Sequence, residues 1–184
     1  MAVSRLHAEK SRLALNQAGL LLFIASEAML FAAMFAARLY LAGLERPADV
    51  NETLGAALTA ILLASSLLAY RAEKAIAAGD RAAMLRFLLG ALLAGALFVV
   101  GVGLEWSSAR FSVASPYGTA FFATTGLHLA HLVSGLAVLG LVFRLGRRGH
   151  FSAESHWGVT AVVRYWTFVD LMWLFGVYPL LYLL

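Results

Sequence analysis

Cysteine is missing from the chain, which excludes a disulfide framework, a thiolate metal site and a cysteine nucleophile. Charge is scarce as well: Asp, Glu, Lys and Arg together make up 13% of 184 residues, where an ordinary soluble domain carries about 25%. No sustained period-two alternation runs through the sequence, which argues against a β-barrel. No internal repeat or low-complexity linker is visible, which argues against an inverted-repeat transporter. What fills the chain is apolar. Hydrophobic residues reach 62%, more than a water-soluble fold of this size can hide but a composition that lipid accepts. The size suits one domain, residues 1–184, with no room for a soluble domain beside the apolar segments.

Five apolar runs are each long enough to cross a hydrocarbon core of ~30 Å, which takes about 20 helical residues. They cover roughly 19–42, 54–70, 84–104, 118–143 and 158–184, and predict an all-α membrane protein, a five-helix transmembrane bundle. Short connections carry helix-ending residues: Pro47 and Asn51, then Gly79-Asp80, then Ser115-Pro116, then Gly146 with Gly149. Residues 1–18 are mixed polar, include Arg5, His7, Lys10 and Arg12, and lack a small-residue cleavage pattern. They read as a cytoplasmic lead-in, not a removable signal peptide.

A net charge of +4 and a pI near 9.8 would suit nucleic acid if the basic residues formed a patch. They are instead short clusters between apolar runs, so no nucleic-acid partner is expected. The tail, the second connection (Arg71, Lys74, Arg81, with Arg86 close by) and the fourth (Arg144, Arg147, Arg148) are rich in them. The first connection offers Arg46, with Arg38 just inside the helix end, the third offers Arg110, and the C-terminal end none. Lys and Arg favour the cytoplasmic side. The count alternates as an N-inside, C-outside five-span chain requires.

Small residues recur at helical spacing: Ala25, Ala28, Ala32 and Ala36 on the first span, Gly126, Ala130, Ser134 and Ala137 on the fourth, and Gly90 with Ala94 on the third. Such stripes let helix backbones approach closely in lipid, within the chain or against a partner. A chain with almost no soluble mass suits a larger complex. The aromatic residues Trp157, Tyr165, Trp166, Trp173, Tyr178 and Tyr182 punctuate the last span, belonging to interfacial belts near its ends and to packing in its middle.

Each ionisable residue inside a span costs at least ~2.5–3.5 kcal/mol on insertion scales. Glu27 lies in the first span, Glu105 at the outer end of the third, and Asp170 near the middle of the last, with Arg164 nearer its cytoplasmic end. His128 and His131 sit mid-span in the fourth, one helical turn apart and on one face. In one bundle, Glu27, His128, His131 and Asp170 would be able to meet near one depth. Three readings compete: a metal or haem site, a proton or ion pathway, and a structural hydrogen-bonded lock between helices. Against the first, no Glu-x-x-His pair occurs, and only the fourth span carries the histidines a two-helix haem site would need. Ser107, Ser108 and Ser115 lack a His and an acid at hydrolase spacing.

The segments holding these residues, SEAMLFAAMFAARLYLA around Glu27, YGTAFFATTGLHLAHLVSG around the histidines and YWTFVDLMWLFGVYPLLYLL around Asp170, resemble subunit III of the haem–copper respiratory oxidases. NETLGAALTAILLASSLLAYRAEKAIAAGDRAAM, with its Ser-Ser pair, fits the stretch after the first motif, and Glu105 in GLEW fits an acidic residue ending the next helix. The likeness runs in order from about Leu20 to the C-terminus, and the length fits a short five-helix bacterial form. The resemblance implies a chain without catalytic, cofactor or metal residues, in a complex whose haem and copper lie in other subunits. It implies docking on subunit I, neighbours in subunit II and others, bound phospholipid, sustained proton uptake, and a place in the bacterial inner membrane. Glu27, Glu105, His128, His131 and Asp170 match the family's buried polar positions. Two places depart: Thr167 stands where the family usually has His, and Val159-Thr160 replace a Phe-Glu pair, with Arg164 nearby. The family includes quinol-oxidase subunits and a nitric oxide reductase relative, and an autonomous proton or ion transporter is the rival from another class.

Overall fold

The computed structural model describes the backbone of residues 2–184 and the side chains of residues 11–184. Its helices are α1 (Ala2–Ala42), α2 (Glu52–Ala77), α3 (Arg81–Ser108), α4 (Pro116–Arg147) and α5 (Trp157–Met172), the last continuing as two wider segments, Trp173–Val177 and Pro179–Leu183. Five helical stretches are long and apolar enough to span a membrane, and no strand occurs among the described residues. The fold is the expected all-α transmembrane bundle.

The first four helices outrun their apolar stretches. Hydropathy marks where lipid lies, but the backbone ladder continues until a cap stops it. Thus α2 continues past Tyr70 to Ala77, and α4 past Phe143 to Arg147. The lead-in is helical too: no Gly or Pro precedes Gly19, and Ala, Leu, Arg, Lys and Glu are good helix formers. Met1 and the side chains of Arg5, His7 and Lys10 lie outside the described residues.

The ends have identifiable causes. Side-chain oxygens of Asn51, Asp80 and Ser115 accept from the backbone N–H of Leu54, Ala83 and Gly118 at 3.0, 2.8 and 3.0 Å, occupying donors that a helix start leaves orphaned. Pro116 follows Ser115 at the first helical position. At the far ends of α2 and α4, Gly79 (φ 81°) and Gly149 (φ 82°) take the left-handed conformation. The Asp80 and His150 N–H groups reach back to Ala75 and Leu145 carbonyls, and the Gly79 and Gly149 N–H groups to Ile76 and Gly146. Both ends are full Schellman motifs.

The helix α5 lies against both α2 and α4, with α3 bridging those two, while α1 packs outside on α4 and α5. The buried indole of Trp166 fills the centre, and a Cβ on either Gly95 of α3 or Gly135 of α4 would stand 2.9 Å from its ring. The phenyl of Phe35 on α1 occupies the space over Gly176 in the same way. Glycines thus receive the large aromatic knobs. Most of both stripes remains outside: Ala25, Ala32, Ala36, Ala130, Ser134 and Ala137 are exposed. Near the C-terminus Pro179 has no N–H to give, and its ring crowds the carbonyl of Phe175. The helix widens to five-residue bonds there, Tyr178 N–H to Trp173 and Leu184 N–H to Pro179.

Candidate functional site

The polar residues singled out in the sequence form four separate contacts and do not gather at one point. The first joins α1 to α4: Glu27 Oε2 lies 2.7 Å from His131 Nε2. His131 Nδ1 lies 2.8 Å from the Leu127 carbonyl one turn earlier. A carbonyl only accepts, so Nδ1 carries a hydrogen. The contact with Glu27 therefore holds one proton, either on the ring as an ion pair or on the carboxyl as a neutral pair. Around it, Ser134 donates to the His131 carbonyl at 2.7 Å, and the Tyr165 hydroxyl reaches that carbonyl at 3.3 Å and Ser134 at 3.0 Å. The buried Phe31 ring sits 4.9 Å from the His131 ring, centroid to centroid.

The second contact joins α4 to α5. His128 Nε2 donates to the Val169 carbonyl at 3.1 Å, while Nδ1 is buried without a partner. Aromatic rings surround it, with Trp173 at 5.0 Å and Phe98 at 5.7 Å. One residue on, Asp170 faces the other way and accepts from Ser66 of α2 through Oδ2, leaving Oδ1 buried and unpartnered. Val169 accepts through its backbone carbonyl and Asp170 through its side chain, so adjacent positions of α5 bond to α4 and to α2. That separation keeps Asp170 away from the Glu27–His131 pair.

The last contact lies near the end of the bundle where α3 and the final helical segment finish. Glu105, buried, accepts from the Tyr182 hydroxyl at 2.6 Å, and the Tyr117 hydroxyl donates to the Leu181 carbonyl. Arg38, almost fully buried, donates to the carbonyls of Gly43 (2.6 Å) and Glu45 (3.1 Å) and lies 4.9 Å from the Tyr117 ring centroid. It ties the turn that follows α1 back against the helix by bonding that turn's carbonyls.

Hydroxyls serve the indoles as well. Trp166 Nε1 donates to Ser65, which passes its own hydrogen to the Ala91 carbonyl of α3. Trp173 donates to Thr59, and Trp106 to Thr125, each hydroxyl in turn bonding the carbonyl four residues back. Sequence reasoning noted the Ser-Ser pair but not its two directions, Ser65 to Trp166 and Ser66 to Asp170. The period of α2 was the available signal, since adjacent residues must face different neighbours.

Among the described residues no group of three or more His, Asp or Glu side chains is placed to hold a metal ion. The serines weighed for hydrolysis bond backbone: Ser107 and Ser108 to the Leu104 carbonyl, Ser115 as the α4 cap. Of the departures, Val159 and Thr160 are buried, Thr167 is half-buried, and Arg164 is exposed. The arrangement joins helices and holds one shared proton at the α1–α4 seam.

A family model described as Cytochrome c oxidase subunit III matches residues 3–184. A protein named cytochrome c oxidase subunit 3 from the cyanobacterium Thermostichus vulcanus is 32% identical over 173 residues, 90% of this chain and 86% of that protein. One of the same name from Coturnix japonica is 35% identical over 85% of this chain and 65% of its own length. Another from Gadus morhua is 38% identical over 118 residues, 64% of this chain. The match spans 45% of the length of the Gadus morhua protein. Five apolar helices, polar contacts that join them, and a match along nearly the whole length agree that this multi-pass membrane protein belongs to the cytochrome c oxidase subunit III family.

Proposed function

We propose that the chain is an accessory, cofactor-free subunit of a bacterial haem–copper terminal oxidase, docked on the catalytic subunit I, with subunit II and others in the same complex. Family membership carries this reading. The haem and copper belong to the partner subunits, electrons arrive from cytochrome c or quinol, and protons move outward. This chain performs none of the redox steps. It sits in the inner membrane with its N-terminus in the cytoplasm, as the Lys and Arg count favours, and holds phospholipid against its helices. The Glu27–His131 contact supports a structural lock between α1 and α4, and the chain as a whole helps subunit I sustain proton uptake.

Two experiments test the reading. Extraction in mild detergent should co-purify a large partner with haem absorbance, and purification of the chain alone overturns the proposal. Removing the chain from the complex should leave the initial rate of oxygen reduction nearly intact and shorten the active lifetime during turnover. Loss of the first turnover would contradict an accessory role. The rival transporter predicts proton flux when the purified chain alone is placed in liposomes, and the accessory reading predicts none.

A further inference from the structure

Among the described residues, the indoles that donate a hydrogen bond do so to hydroxyls: Trp166 to Ser65, Trp173 to Thr59 and Trp106 to Thr125. Tyr117 and Tyr165 reach backbone carbonyls. Tyr182 differs. Its fully buried hydroxyl donates to Glu105 Oε2 at 2.6 Å, and it is the one phenol or indole among them bonded to a carboxylate. A hydroxyl or a carbonyl accepts a hydrogen bond without keeping the proton at neutral pH, whereas a carboxylate is a base. The Tyr182 ring also touches other rings. Trp173 lies 5.8 Å away and the half-buried Tyr178 stacks at 5.5 Å, both within the range of aromatic contact. Trp173 in turn lies 4.8 Å from Phe98 and 5.0 Å from His128. Glu105 borders a cavity of about 30 Å³ shared with Ser108 and the exposed Asp49 and Asn51, room for one water.

We propose that Tyr182 and Glu105 form a proton-coupled redox site, at which Tyr182 gives up one electron while its hydroxyl proton moves to Glu105. The co-reactant is an outer-sphere one-electron oxidant stronger than phenol, and Trp173 is the relay. The oxidant takes one electron from the Trp173 indole and leaves a radical cation, whose N–H faces only the Thr59 hydroxyl. Tyr182 then returns an electron to the indole, its O–H bond breaks, and an O–H bond forms on Glu105 Oε2. The products are a neutral indole, a neutral phenoxyl radical and a neutral carboxylic acid. The step begins with one positive and one negative charge and ends with none, which buried surroundings favour. The site drains oxidising equivalents that enter the bundle and holds them on one buried ring. It takes no part in oxygen reduction, and it is independent of which complex the chain joins.

The test is flash oxidation of the full-length chain in detergent by a photogenerated tris(bipyridine)ruthenium(III) complex. Transient absorption follows the rate, and electron paramagnetic resonance of frozen samples identifies the radical. The wild type should yield a long-lived phenoxyl radical, formed more slowly in deuterated water. Tyr182→Phe should abolish that signal, and Tyr40→Phe, which removes an exposed phenol, should leave it. Glu105→Gln keeps an acceptor oxygen for the hydroxyl but cannot take its proton. It should slow radical formation about a hundredfold, the low end of what a positioned base contributes. A long-lived radical unchanged in Tyr182→Phe overturns the proposal, and so does an equal rate in Glu105→Gln and wild type. A long-lived indole radical in the wild type would place the oxidising equivalent on tryptophan and overturn it too. Because Glu105→Gln preserves the hydrogen bond, it decides the matter even where Tyr182→Phe fails to fold. Co-purification with an oxidase is a separate readout, so either result can fail alone.

Discussion

The first span and the last are held in opposite ways. Within their most apolar windows 6% of the first is buried inside the chain, against 50% of the last. The last span, α5 with its wider continuation, touches α1, α2 and α4 and places Trp166, Val169, Trp173 and Val177 in full burial. The helix α1 is attached at a few points: Glu27 on His131, Phe31 against His128, His131 and Phe168, Phe35 over Gly176, and Arg38 at its end. Lipid tails are as apolar as leucine, so nothing drives the leucines of α1 inward. A peripheral membrane helix is positioned by directional contacts and shaped notches, a central one by continuous packing.

Four changes sharpen or break that comparison. The largest effect is expected from Trp166→Ala, which empties the space between Gly95 and Gly135 and removes the indole donor to Ser65. It should cost about 3 kcal/mol, the low end of the range for such truncations, because the unfolded chain in lipid keeps an apolar surround. Reversible unfolding in mixed micelles measures it, and an equal loss from Phe31→Ala on α1 would erase the contrast. Next is Gly176→Val, whose added carbons meet the Phe35 ring. About 1–3 kcal/mol is expected for such overpacking, and Phe35→Ala in the same chain should recover most of it if the notch holds α1.

Third, Ser66→Ala leaves both Asp170 oxygens buried without a partner and should cost about 1–2 kcal/mol. Ser66→Ala combined with Asp170→Leu should be milder than the sum of the separate effects, and additivity would mean the two side chains are uncoupled. The smallest effect is expected from Glu27→Gln. The Gln amide N–H donates to His131 Nε2 in place of the shared proton, so the change should stay below about 1 kcal/mol. Infrared difference spectra should lose any signal of proton exchange between carboxyl and imidazole. A loss as large as that of Trp166→Ala would show that the seam, not the central packing, dominates.

Much of this was legible in the residues. The spans followed from apolar length, and their stops from Asn51, Asp80, Ser115, Gly79 and Gly149, whose chemistry at helix ends is local. The importance of Glu27, His128, His131 and Asp170 followed from the cost of burying ionisable groups. Their partners did not follow. The sequence allowed all four to meet near one depth; the structure divides them, because Asp170 bonds Ser66 of α2 and His128 spends its donor on a backbone carbonyl. Arg38 read as a charge near a connection and proves to be a buried tie to the turn after α1. The alanine stripes read as packing surfaces and are largely exposed.

By itself the sequence determined how many times the chain is suited to cross a bilayer and where each helix stops, since both depend on transfer energy and on hydrogen bonds within a few residues. It also determined which side chains are too costly to leave without a role in lipid. Tertiary structure alone decided which helix each of them faces: Glu27 toward His131, Ser66 toward Asp170, Tyr182 toward Glu105. Those choices depend on the rotation and neighbours of each helix in the bundle. In a medium with no hydrophobic drive between helices, rotation is set by shape and polar pairing across the whole assembly, and no local stretch of sequence carries that information.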